Sequence, residues 1–194
     1  MRRVRYLAAL VTIALGGCGG GSPAAPSNSP VVTGGLPFSD GAYIVSFIGG
    51  SVECGDVKNP QAGTSVSITL QLRRDGTAWT GTAGNALTFH FEPGAAPPGP
   101  ASPFAIGITG TARGSANDEG ILLDPNRGLF NTQPNGTRIT FPDNTALSGS
   151  FPSPALLTFS QGKIDGTVTF SRNGVTSTCP PGIVGWTMNK LPVP

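Results

Sequence analysis

Nucleophilic catalysis needs a serine or cysteine beside a base, and a third group that orients that base. The chain of 194 residues offers one histidine, His90, set between Phe89 and Phe91. In an extended segment His90 shares a face with Thr88 and Glu92, which puts it on the polar side, toward solvent. No G-x-S-x-G elbow occurs, and H-E-x-x-H is impossible with a single histidine. Paired carboxylates could hydrolyse a glycosidic bond, but nothing in the spacing of the ten acidic residues singles out two of them. Asp118, Glu119, Asp124 and Asn126 form the densest group of oxygen donors. They lack the ligand order and fixed glycine of a calcium loop and read as a solvated acidic loop, so no metal site is assigned. Three cysteines and one histidine without ligand spacing exclude the common zinc and haem motifs. The residues that could do chemistry therefore point away from an enzyme and require no cofactor.

The elements that carry these residues have a period of two. From Ser65 to Arg73, Val66, Ile68, Leu70 and Leu72 alternate with Ser67, Thr69, Gln71 and Arg73. A helix would scatter those four apolar residues, whereas a strand puts them on one face. Arg74-Asp75-Gly76 then supplies a turn, and the chain returns through Thr77 to Thr82. The same alternation runs through Tyr43-Val45-Phe47, Leu87-Phe89-Phe91, Phe104-Ile106-Ile108, Ile139-Phe141 and Ile164-Val168-Phe170, and Trp186 and Met188 line one face of the last strand. Asn173-Gly174 marks a hairpin between Ile164–Phe170 and Val175–Cys179. Four times an apolar residue, a small or polar one, a glycine and a serine or threonine follow each other, with glycine at 81, 110, 149 and 166. A glycine at an inward position makes room for a neighbouring aromatic and lets a sheet curl. The expectation is an all-β domain, an antiparallel barrel or strongly curled sheet of about eight strands, with a β-sandwich as the alternative. Long connections are expected at Glu92–Pro103, Ala112–Gly120 and Asp124–Gly136. The segment Asp75-Gly76-Thr77-Ala78-Trp79-Thr80-Gly81-Thr82 resembles a hairpin of the avidin and lipocalin (calycin-like) barrels, over about 20 residues. That resemblance implies no ligand-binding residue here.

Glycine (29) and proline (19) are abundant, yet 38% of residues are apolar and 11% charged, which favours a folded, turn-rich domain over a disordered one. The first 17 residues run from Arg2, Arg3 and Arg5 through an apolar stretch, Tyr6 to Leu15, to two small residues, which is the plan of a signal peptide. Ten or so apolar residues fall short of the roughly 20 a spanning helix needs. Leu15-Gly16-Gly17-Cys18 resembles the lipobox of bacterial lipoproteins. The resemblance implies a diacylglycerol thioether on Cys18, cleavage before it, and an acylated new amino group, palmitate being a usual chain. Gly19, where an aspartate would resemble an inner-membrane retention signal, implies the outer membrane. Residues 18–37 carry no charge and read as a tether, with an end-to-end distance of roughly 24 Å. Residues 38–194 form the single all-β domain. Without Arg2, Arg3 and Arg5 the twelve basic residues fall to nine against ten acidic ones, so neither nucleic acid nor a polybasic membrane grip is expected.

With Cys18 acylated, Cys54 and Cys179 remain, and an exported compartment permits their oxidation, so they are expected to pair. Cys54 follows the first strand and Cys179 precedes the last, and their bridge would hold the two ends of the sheet together. Three functional readings follow. In the first, a lipid-anchored, non-enzymatic envelope domain binds a small apolar molecule or lipid in the barrel, lined by Trp79, Phe89, Phe91, Phe104, Phe170 and Trp186. In the second those rings fill the core, and the domain is a structural or protein-interaction module whose partners are envelope proteins. The third is a hydrolase of envelope polymers.

Overall fold

A computed structural model of the chain describes residues 36–49, 54, 65–84, 86–94, 105–124 and 128–191. The signal segment, Cys18 and the tether up to residue 35, like Phe104 and Asn126, lie outside the described residues. The described chain is all-β. It runs β1 (Gly41–Ile48), β2 (Ser65–Asp75), β3 (Ala78–Ala83), β4 (Leu87–Gly94), β5 (Ile106–Asn117), β6 (Ile121–Asp124) and β7 (Gly128–Asn131). There follow β8 (Arg138–Phe151), a three-residue 3₁₀ turn (Pro154–Leu156), β9 (Phe159–Ile164), β10 (Val168–Arg172), β11 (Val175–Cys179) and β12 (Gly185–Lys190).

Eight strands close on themselves in the order β8-β5-β4-β3-β2-β1-β12-β9, with β9 returning to β8, and every pairing is antiparallel. First and last strands are neighbours, with Tyr43 opposite Lys190 and Ile48 opposite Gly185. Closure gives each of the eight strands a partner on both sides. One edge of β8 serves two strands in turn: Leu147–Ser150 pair with β9, and Arg138–Thr140 pair with β10. Asp143 lies between the two halves with φ of 30°, so the edge is passed over where the backbone bends. As a result Ile164 and Val168, which alternate as if on one strand, belong to two. Asp165-Gly166-Thr167 interrupts them, and the Asp165 amide donates to the Ala146 carbonyl. The connections are also shorter than the sequence suggests. Ala112–Asn117 continue β5 opposite β8, and Gly128–Asn131 form β7 opposite β6. Ala112 and Ala116 are too small to make an alternating signal stand out.

The β10–β11 hairpin closes the end of the barrel at which β1 finishes. Val168, Phe170 and Cys179 are fully buried in the common core, and Phe170 lies against Gly49 together with Val184 and Cys54. Cys54 and Cys179 form a disulfide with a sequence separation of 125. Phe38 closes the other end, its ring 4.9 to 6.1 Å from those of Tyr43, Trp79, Phe91 and Phe151.

The β6–β7 hairpin lies on the outside of β1, β2 and β12, which is why the outward Ile44 and Ser46 are buried. Its base is clasped to a stretch of β2 that β3 is too short to cover. Asp118 accepts from the Ser67 amide (2.7 Å) and, through its other oxygen, from the Asn135 amide (2.8 Å). Glu119 accepts from the amide and hydroxyl of Thr69. These carboxylates take over the pairing that a neighbouring strand would otherwise provide. Asp118→Ala removes two charge-assisted hydrogen bonds and is expected to cost about 2–3 kcal/mol. Hydrogen exchange checks this: the Ser67 and Asn135 amides should exchange faster in the variant while β4 amides keep their protection.

Candidate functional site

Of the six rings expected to line a ligand cavity, Trp79, Phe89, Phe91, Phe170 and Trp186 are buried in one core inside the barrel, and Phe104 lies outside the described residues. Phe89 stacks on Phe47 (6.0 Å) and Phe91 (5.7 Å), Phe141 meets both Phe47 and Phe89 edge-on, and Phe91 lies 6.2 Å from Trp186. Trp79 packs on Phe38, and Phe170 is buried at the capped end. Apart from Phe170, each of these rings has another ring of the same core as a neighbour, the ordinary packing of a protein interior.

Trp186 crosses the seam where β8 and β9 close the barrel. Its indole N–H is shared between the main-chain carbonyls of Ser148 (3.0 Å) and Lys163 (3.2 Å), one on each strand. The ring fits because Gly149 stands opposite Gly162. A Cβ on Gly149 would lie 2.4 Å from the indole Cζ2, and one on Gly162 would lie 1.9 Å from the Ser148 carbonyl oxygen. The recurring glycine thus makes room for an aromatic at 149. At 81 the neighbour is Leu70, at 110 it is the backbone of His90, and Gly166 lies in the β9–β10 connection against Thr145. Two buried hydroxyls, those of Thr137 and Ser160, have no hydrogen-bond partner among the described residues, and that of Ser160 lies on the inward side opposite Met188. Ser160→Ala should stabilise the protein by about 1 kcal/mol, seen as a higher urea midpoint at unchanged slope.

Outside, a concavity of about 440 Å³ lies over β8, β9, β12 and β1, a size in the range of small-molecule sites. Its walls are mainly carbon, and Lys163 is the one charged side chain among the described residues that line it. Register explains the hollow. One cross-strand row carries Ser148, Lys163, Gly185 and Ile48, the next Ser150, Gln161, Thr187 and Ser46. Five of these eight are glycine, serine or threonine, so the wall is recessed there, while the β6–β7 hairpin stands on the adjacent part of β1. The sequence reading missed this site because its residues come from four strands and carry no local motif. The alternation of Gln161, Lys163, Thr187 and Gly185 with inward residues was the available signal.

A smaller hollow of about 260 Å³ lies over β3, β4 and β5, lined by threonines 80, 82, 88 and 111 with His90 and Arg113. His90 is on the outer face as expected, and its Nε2 meets Glu92 Oε1 at 2.8 Å. Among the described residues no hydroxyl or thiol is hydrogen-bonded to it. Of the acidic group, Asp118 and Glu119 are engaged with the edge of β2, and Asn126 lies outside the described residues. Among the described residues no three His, Cys, Asp or Glu side chains gather as metal ligands.

No helix of the described residues is long and apolar enough to cross a membrane. Comparison with protein-family models, with curated proteins and with solved structures gives no match for this chain.

Proposed function

We propose that the chain is a lipid-anchored, non-enzymatic barrel of the bacterial cell envelope, acting as a structural or interaction module through its outer wall. The observation that carries this reading is the occupied interior. Phe38 stoppers one end, the β10–β11 hairpin the other, and the rings between them pack on one another. What can be offered to a partner is then the outer wall, where the 440 Å³ hollow lies. The anchor rests on Leu15-Gly16-Gly17-Cys18, outer-membrane placement on Gly19, and the Cys54–Cys179 bridge suits an oxidising compartment. Several acyl chains would hold the domain stably, since one gives marginal membrane binding.

Two measurements test it together. Intact mass of membrane-extracted protein should show a chain beginning at Cys18 with added acyl mass, and cross-linking in envelopes should give the same protein partners reproducibly. Release of unacylated protein, or a stoichiometric small apolar molecule retained in native mass spectrometry with no protein cross-links, would overturn it. The latter result would support the second reading, a barrel that carries an apolar molecule. The unpartnered Ser160 hydroxyl favours that reading, as a polar atom of a guest could meet it.

A further inference from the structure

On the outer wall Lys163 of β9, Gly185 of β12 and Ile48 of β1 stand side by side in one cross-strand row. Neighbouring strands are about 4.8 Å apart, so the lysine and isoleucine backbones are separated by about 10 Å with the glycine midway. Each of the three is unusual for its place. Ile48 is 54% exposed although it follows a run of buried residues in β1. Lys163 makes no ion pair among the described residues, although its surroundings are mainly carbon.

Gly185 is the telling one. A glycine within a strand forfeits packing and chain entropy and marks a bend or a close approach. Gly149 and Gly162 have such a reason in the Trp186 seam. Gly185 has none: a Cβ there would come no nearer than 3.8 Å to the Gly162 carbonyl oxygen and 3.9 Å to that of Ile48, and its φ is outside the left-handed region. The fold tolerates a side chain at 185, yet the position is empty, and the emptiness joins an unpaired cation to an exposed apolar group.

We propose that this trough binds a free medium-chain fatty carboxylate. Its head would pair with the Lys163 ammonium, and its tail would cross β12 over Gly185 to lie against Ile48. The hydroxyl of Ser148 and the amide of Gln161, flanking Lys163, supply further donors to the head. Charge complementarity selects an anion, the carbon walls select an alkyl chain, and the single cation selects one charge. The inference rests on the reading of the barrel as a module acting through its outer wall, and names what that wall holds.

The test uses the lipidated protein in nanodiscs of zwitterionic lipid, a photoreactive decanoic acid with its reactive group at the tail, and the methyl ester of the same probe. The acid should label segments 46–48 and 185–187 at least tenfold more than the ester. Gly185→Val and Lys163→Glu should each reduce that labelling at least tenfold with the thermal midpoint unchanged, and Lys163→Arg should keep it. Equal labelling by acid and ester, or labelling that survives Gly185→Val, overturns the proposal. Label spread evenly over exposed segments overturns it too, while leaving an outer-wall module in place. Label concentrated on Phe89 and Phe91 would overturn both, because the guest would then be inside the barrel.

Discussion

Reduction of the Cys54–Cys179 bridge, or the double substitution Cys54→Ala with Cys179→Ala, is expected to lower the free energy of unfolding by about 4–5 kcal/mol. For a domain of this size that corresponds to a thermal midpoint roughly 10–15 °C lower. The estimate follows from loop entropy: the bridge joins residues 125 apart, so it removes a large set of open conformations from the unfolded chain. Both cysteines are buried in the core, and the covalent link also ties the β10–β11 hairpin to the segment beyond β1. That hairpin holds to the barrel by three register pairs with β8 and by the packing of Val168 and Phe170. Loss of the bridge should therefore be felt there first. Hydrogen exchange of the oxidised and reduced forms distinguishes a general from a local effect, with β10 and β11 expected to lose protection before β2 to β4. A thermal midpoint unmoved by reduction, with both thiols shown to be free, would mean that packing alone holds the hairpin.

The same bridge shows what was legible in the sequence and what was not. On the expectation of an exported chain acylated at Cys18, the two remaining cysteines suggest a pair, and the alternation at Val66-Ile68-Leu70-Leu72 and Leu87-Phe89-Phe91 places those side chains correctly on the inner face. Local periodicity carries that information because each strand must satisfy it alone. Closure is a different property. It depends on β9 pairing with the second half of β8 while β10 takes the first half, and the only local trace of that division is the run Asp165-Gly166-Thr167. Hence Ile164-Val168-Phe170 looks like one strand. The stopper at Phe38 was invisible for another reason: an aromatic just beyond an uncharged, proline-rich stretch of sequence looks the same whether it enters a barrel or ends a linker. Its four aromatic partners come from four separate strands. The outer trough shares this character, since Lys163, Gly185 and Ile48 meet only through register.

Trp186→Ala is expected to be the most damaging truncation of a side chain in the barrel wall, at about 3–5 kcal/mol. The indole is 3% exposed, packs against Phe91 and fills the space left by Gly149, so its removal opens a void where the sheet closes. It also leaves two strand carbonyls, those of Ser148 and Lys163, without the N–H they share. Trp186→Phe separates the two contributions: most of the apolar volume remains and the donor is lost, so a smaller deficit of about 1–2 kcal/mol is expected. Urea unfolding of the two variants measures the difference directly. Gly149→Val supplies the converse. It keeps the indole but puts branched carbon where a Cβ would already lie within 2.4 Å of the ring, so the ring and β8 cannot both stay in place. If closure depends on the fit between glycine and tryptophan, Gly149→Val should be at least as harmful as Trp186→Ala, and adding Trp186→Ala should recover part of the loss. Simple additivity of the two substitutions would instead mean that they act on separate parts of the wall.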